Sequence, residues 1–445
     1  MKNIAVSSPE WITRGAVYQI NPRTFSKDGT IKAITKELDF LKQTGFDIVY
    51  LCPIFSEDDS MDKTNWSERQ LKSETENPKN PYRMNDYFFI DSEYGTMDDL
   101  KELVCEAHKR NMKVLLDLVY AHIGPNADII KRHREFVQQT PDGEIINTQW
   151  NFPALDFKCD GLREYLYCNM IYYISVIDVD GFRCDVGDAV PDDFWYEAHK
   201  RMKTIKPDSI LINEGTKYEK LMSSFDVSYC FDWHEKLYKV YCENESAAIV
   251  AETDTVQKEY HKLPYGGKIL RDMDNHDTVT DWPQRVEISA GSDGMEQILV
   301  LNYTIDGVPM VYAGNEIACN ANLSMFANRF HPGKYQTSDR SKKNTPEAIR
   351  RTEIIKKLNE FKKQSDILMY GETEWIKNSN PENTVTFKRK YNGKTIMFAG
   401  NTAKEGCTVD AEQIPQNAKV LFSNNADIND GKIDFGRMGY IVVEF

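Results

Sequence analysis

No CxxC pair and no HExxH segment occurs in the 445 residues, and the nine cysteines and eight histidines are dispersed. A zinc site built on such spacings is therefore excluded as the organising feature. An odd number of cysteines cannot all pair within the chain, and scattered thiols read as reduced, as in a cytosolic protein. No apolar run approaches the ~20 residues that cross a bilayer. The opening MKNIAVSSPEW has no apolar leader core. The chain as written thus reads as cytoplasmic, and as secreted only if a leader has been removed. Positive charge is in deficit: 55 Lys and Arg stand against 69 Asp and Glu, a net charge of −14. Nucleic acid and anionic membrane are bound through excess cations, so neither is expected as the main partner. Solenoid repeats and low-complexity tracts are also missing. Nothing in the sequence sets the oligomeric state.

What is present is an alternation. Residues 16–25 (AVYQINPRTF) form a β-rich run. Ile31, Ile34, Leu38 and Leu41 then recur at helical spacing up to Gly45, and DIVYLCPIF follows as a second strand. TMDDLKELVCEAHKRN reads as a helix with a Thr N-cap, and MKVLLDLVY as the third strand. Strand GFRCDV, strand SILINE, weaker strands at DVSYCF and KILRDMDN, and strand GVPMVYAG continue the series, with one helix expected over about 233–260. Eight strands separated by helices predict an α/β fold, a closed (β/α)8 TIM barrel, with strands apolar enough to be buried on both faces. Residues 54–87 read as a long polar loop. Residues 123–160 are too long for a βα loop of about 2–6 residues and are expected to form a small excursion domain after strand 3. From residue 367 short β runs punctuated by NPEN, YNGK and NDGK predict a C-terminal antiparallel β-sandwich domain. The expected division is 1–122 with 161–366 for the barrel, 123–160 for the excursion and 367–445 for the tail.

Charged residues gather at the ends of these strands, where a barrel of this kind builds its site. Strand 3 ends in Asp117 with His122 just beyond. Strand 4 carries Arg183 and Asp185, strand 5 ends in Glu214, and strand 7 in Asn275, His276 and Asp277. Each alone has an ordinary explanation: a strand-end Asp is usually a helix N-cap, and Arg183 with Asp185 could be a plain ion pair. Together they occupy equivalent positions of successive strands, where stability does not require them. Two carboxylates about 5–5.5 Å apart suit retaining glycoside hydrolysis. Asp185 fits the nucleophile, because Arg183 on the same strand face would keep it ionised. Glu214, with no cation beside it in sequence, would be free to carry the raised pKa of an acid/base. Asp277 would stabilise the oxocarbenium-like transition state, and neutral His122 and His276 would bond sugar hydroxyls.

With these residues in place the sequence resembles the α-amylase family of glycoside hydrolases. DLVYAH, GFRCD, INEG and NHD match the family's segments on strands 3, 4, 5 and 7, and GAVYQINPRTF, YRMNDYFFIDSEYGTMDDL, FPALDF and GVPMVYAGNE add further matches over residues 10–365. The resemblance implies Asp185 as nucleophile, Glu214 as acid/base, Asp277 as stabiliser, Asp117 as supporting carboxylate, and Tyr82, His122, Arg183 and His276 as substrate-binding residues. It implies an α-glucan oligosaccharide or polysaccharide as partner, with malto- or isomalto-oligosaccharides as the expected substrates. Alternatives on the same scaffold are a transglycosylase, a sucrose- or trehalose-type enzyme and a non-catalytic carbohydrate-binding protein; a metal-dependent barrel hydrolase would use the histidines as ligands. No cofactor is expected to be required. Ala121 stands where many members have an Asn that helps bind a structural calcium, which puts that ion in doubt. Val186, Gly187, Asp188 and Ala189 replace a Lys-His pair, Val186 itself resembling members that cut α-1,6 bonds as well as members of broader specificity, which leaves the linkage open, and Pro81 replaces a glycine before Tyr82.

Overall fold

In the computed structural model, residues 3–331, 333 and 335–445 are described; Met1 and Lys2, the start of the expected barrel segment, lie outside them. Eight parallel strands close into a barrel: β1 Val17–Ile20, β2 Ile48–Leu51, β3 Lys113–Leu118, β4 Gly181–Cys184, β5 Ile210–Asn213, β6 Val227–Ser228, β7 Lys268–Arg271 and β8 Val308–Tyr312. Each pairs with its neighbours in sequence, and β8 returns to β1 in the register Val17↔Met310.

Side-chain alternation splits these strands between two cores. Val17, Ile48, Leu115, Ile210, Ile212, Leu270 and Val308 fill the barrel interior. Tyr18, Val49, Leu116, Phe182 and Leu211 face the surrounding helices. The same period carries Gln19, Tyr50, Asp117 and Arg183 inward at the carboxyl end, one layer above the apolar filling. At the opposite end of β4, Gly181 (φ 152°) is required, since a Cβ there would meet the Ile210 carbonyl at 2.2 Å.

The helices follow their sequence signals. Ile31–Gln43 is capped by Thr30 and buries Ile31, Ile34, Leu38 and Leu41, each aliphatic contributing about 1.5–3 kcal/mol. Met97–Lys109 opens with a capping box between Thr96 and Asp99. The helix expected over 233–260 is two, Phe231–Glu243 and Ala248–Tyr260. Asn244 at φ 61° ends the first, a left-handed cap that Asn tolerates.

The two long insertions are both structured. Residues 54–87 are more than a loop: Phe55–Glu57 pairs antiparallel with Met84–Ile90, and a short helix, Glu68–Lys72, sits between them. The 123–160 excursion contains the helix Asp128–Arg132 and isolated bridges such as Val137↔Leu155.

At the expected boundary the helix Asp366–Tyr370 runs across residue 367, and antiparallel strands begin at Glu372. The expected sandwich is one connected six-stranded sheet. The long strand Lys432–Glu444 pairs first with Cys407–Asp410 and then with Lys394–Asn401. Opposite it, two register shifts bend the strand Lys419–Asn429. One sheet therefore serves two cores: Ile396, Phe398 and Val442 face the barrel helices, and Met397, Ile441 and Val443 the other side. Helix Gly291–Thr304 is buried almost all round between barrel and tail, as an element covered on both sides must be. Among the described residues no helix is long and apolar enough to cross a membrane.

Candidate active site

At the carboxyl end of the barrel the strand ends converge on a pocket of about 160 Å³. Tyr82, His122, Asp185, Glu214, His276 and Asp277 line it. Arg183 and Asp117, 0% and 1% exposed, lie beneath its floor. All eight expected residues thus come together, in two layers.

Arg183 is the hub of the lower layer. Its NH1 donates to Asp117 Oδ1 and to Asp185 Oδ1, both at 2.8 Å, and its NH2 lies 2.5 Å from Glu214 Oε1 as a charge contact. Glu214, with no cation beside it in sequence, meets one across the strands. Sequence neighbours do not reveal Arg183 as a partner, because the guanidinium reaches across from β4 to β5, where Arg183 is paired with Ile212. Asp117 also accepts from the hydroxyls of Tyr50 (2.5 Å) and Tyr82 (3.0 Å).

Charge and burial divide the carboxylates. Burial pushes the Asp185 carboxyl well up, with Glu214 adding to the rise, and Arg183 offsets only part of it because three carboxylates share that one cation. Arg183 thus pulls the Asp185 carboxyl down, as the strand pattern leads one to expect, without cancelling the effect of burial and of the neighbouring carboxylates. Burial likewise raises Glu214 to about 7, against the pull of Arg183. The two sit on one guanidinium and titrate as a coupled pair. Asp277 is opposite in character. Burial would raise it, but His276, Arg69 and Arg183 together draw it well below the usual carboxylate range. His276 is itself held neutral by burial, so Arg69, whose NH2 lies 2.8 Å from Asp277 Oδ1, is the standing cation.

The histidine tautomers follow from their partners. Gln19 Nε2 donates to His276 Nδ1 (2.9 Å), so Nε2 carries the proton and donates to the Tyr82 hydroxyl (2.6 Å), which in turn donates to Asp117. Both nitrogens of His276 are thus engaged by the protein, and a sugar hydroxyl would have to share Nε2. His122 donates from Nε2 to the Tyr82 carbonyl (2.8 Å). Burial lowers it to about 4, leaving neutral Nδ1 as an acceptor without a protein partner. The Tyr82 ring stacks on His276 at 5.3 Å.

Two features hold Glu214 from behind. Val186 is forced to φ 42°, an outlier for a β-branched residue, and its N–H donates to Glu214 Oε2 at 2.7 Å. Asp188 accepts from Asn213 Nδ2 and from the backbone N–H groups of Thr216 and Lys217, fixing the turn that follows Glu214.

Sequence reasoning missed Arg69, Trp150, Phe152, Met325 and Phe326, all on the pocket wall, together with Tyr50 and Gln19 below it. The two buried polar residues were accessible by counting alternate positions along β1 and β2. Arg69 lies on a helix of only five residues and Trp150 in a turn, so neither has a period to read. At Ala121 the donor set does not fit a calcium ion: the side chain has no oxygen, and the carbonyl accepts from Leu155 N–H at 3.2 Å. Among the described residues no cluster of three His, Cys, Asp or Glu is arranged to hold a metal.

Comparison with known proteins matches residues 17–144 and 145–354 to the family model described as alpha amylase, catalytic domain. A maltogenic alpha-amylase of Bacillus acidopullulyticus is 24% identical over 89% of this chain and 71% of its own length. A cyclomaltodextrinase of Thermoanaerobacter pseudethanolicus is 22% identical over 93% and 74%. Among solved structures, a noncanonic maltogenic alpha-amylase of Thermotoga neapolitana superposes with a TM-score of 0.80, covering 98% of this chain and 99% of that one at 24% identity.

Proposed function

Since the chain belongs to the alpha-amylase family and is a glycosidase, we propose that it hydrolyses α-glucosidic bonds of malto- or isomalto-oligosaccharides with retention, through a covalent intermediate on Asp185. The observation that carries this reading is the single guanidinium of Arg183 in contact with both Asp185 and Glu214 at the floor of a buried pocket. Two carboxyls held on one cation, one raised far enough to act as an acid near neutrality, are what a double displacement needs.

In the first step the Asp185 carboxylate attacks the anomeric carbon while the Glu214 proton passes to the departing glycosidic oxygen. In the second, Glu214, now ionised, takes a proton from water, which attacks the same carbon and releases Asp185. Asp277, kept charged by Arg69, faces the positive charge that develops on the ring. His122 Nδ1 accepts a sugar hydroxyl. Tyr82 offers ring surface to the sugar, and its hydroxyl ties Asp117 to His276. The nine free thiols, two of them exposed, favour a cytosolic setting and hence short, soluble substrates.

The test is product analysis on maltose, isomaltose, panose and pullulan, with proton NMR of the first-formed sugar. The α-anomer and net gain of reducing ends are expected. A β-anomer would overturn retention, and larger or isomerised sugars without reducing-end gain would make the protein a transglycosylase or isomerase. Asp185→Asn and Glu214→Gln should each lower turnover by about 10²–10⁴-fold or more.

A further inference from the structure

We propose that Arg69 closes the pocket behind a single glucosyl unit, so that the protein removes glucose stepwise from the non-reducing ends of α-glucan oligosaccharides and does not cut within chains. This inference rests on the hydrolase reading above and adds the mode of attack.

The barrel order explains the asymmetry. Strands β2, β1, β8 and β7 are consecutive around one half of the barrel, and Arg69 crosses the mouth above them. It is carried by the short helix Glu68–Lys72 after β2, which Ser67 caps and Gln70 ties back to the Asn77 carbonyl at 2.8 Å. Its Nε donates to Asp281 Oδ1 at 3.0 Å, and its NH2 lies 2.9 Å from Asp281 Oδ2 and 2.8 Å from Asp277 Oδ1, on the far side after β7. The segment after β8 seals the gap beneath this bridge. There Asn77 Nδ2 donates to the Ala327 carbonyl (2.9 Å), Asn328 Nδ2 to the Thr75 carbonyl (3.0 Å), and Met325 N–H to Thr280 Oγ1 (3.0 Å). Met325 and Phe326 complete the wall.

A second cavity lies towards the loops after β3 and β4. This trough of about 560 Å³ runs past Ala121, Phe157, Ala189 and Pro191, and Trp150 lines both it and the catalytic pocket. It adjoins Ala189 and Pro191, in the chain that follows Asp185. Because the acid must protonate the departing oxygen, the leaving group extends towards Glu214, and the sugar that stays on Asp185 lies on the side where Arg69 holds Asp277. A second glucose beyond that sugar would meet the Arg69–Asp281 bridge. The Arg69 side chain is a specificity-determining group, and its carboxylate partners make it a rigid one.

The experiment uses the full chain on three substrates: maltoheptaose, maltoheptaose whose non-reducing terminal glucose is blocked as a cyclic acetal, and a cyclomaltodextrin, which has no end. The first product expected is glucose with maltohexaose, from unblocked maltoheptaose alone. Maltose as the first product, or cleavage of the blocked or cyclic substrate at a comparable rate, would overturn the inference and leave the hydrolase reading intact. No hydrolysis of any α-glucan would sink both. Arg69→Ala should raise the rate on blocked relative to free maltoheptaose by about tenfold or more, with maltose appearing among the early products. An unchanged ratio in a folded Arg69→Ala protein, judged by its melting transition, counts against the assignment.

Discussion

The most consequential single residue is Arg183, since one buried cation answers for three carboxylates. Replacing it by Met leaves Asp117, Asp185 and Glu214 without a counter-charge, and breaking such a network costs about 3–5 kcal/mol. The expected outcome is a lower melting temperature together with lost turnover, measured by thermal unfolding and assay. Glu214 governs the pH dependence. Its carboxyl, raised to about 7 by burial, must be protonated to act as acid, so kcat/KM falls as pH rises through about 7 and the pair must lose one proton on the acidic side. A bell-shaped profile is expected, and a flat profile from pH 6 to 9 would contradict the assignment. Val186 stores strain beside this carboxyl. Val186→Gly should raise stability by about 1 kcal/mol while loosening the N–H that Glu214 accepts, visible as a shifted alkaline limb. Asp117, Arg183, Asp185 and Glu214 were legible in the sequence because they lie on or one residue past a strand whose inward face is set by a period of two. His122, His276 and Asp277 lie further past their strands, and Tyr82, in the insertion after β2, was legible only through the family resemblance. The proton balance between Asp185 and Glu214 was not, because it depends on an arginine reaching between strands.

At the scale of elements, the turn after β5 is held by Asp188, which occupies part of the stretch where the chain departs from its family's Lys-His pattern. Asp188 is a positioning residue. Asp188→Ala frees the N–H groups of Thr216 and Lys217, and the expected result is a fall in kcat with little change in KM and a displaced alkaline limb in the pH profile. A purely structural role would lower the melting temperature without moving that limb. The inserted helix Glu68–Lys72 makes a different point. Its sequence is polar and short, with no apolar stripe to mark it, and its stability comes from the Ser67 cap and the tie from Gln70. Propensity and period carry little information about such an element. The division of 233–260 into two helices turns on one left-handed Asn244, again a local backbone choice with no hydrophobic signature.

At the scale of the whole molecule, barrel and tail share helix Gly291–Thr304. Gln297 Nε2 donates to the carbonyls of Asn401 and Gly439 at 2.9 and 3.0 Å, and the Tyr440 hydroxyl donates to Glu296. Truncation after residue 365 would expose that helix and the apolar face it buries. Such a protein is expected to aggregate, and the intact chain to unfold in one calorimetric transition; a soluble, active truncate would show the tail to be dispensable. The donor set at Ala121 argues in the same way about metal: addition of a chelator is expected to leave melting temperature and turnover unchanged. By itself the sequence determined the (β/α)8 barrel, the antiparallel tail and the charged residues at the strand ends, because these follow from periodicities of two and 3.6 that burial imposes on any chain. Only the tertiary structure decided that one guanidinium serves both catalytic carboxylates, that the tail is a single bent sheet, and that Arg69 bars one side of the pocket. Those are contacts between segments distant in sequence, and their geometry is set by how the strands and insertions pack, which no local pattern encodes.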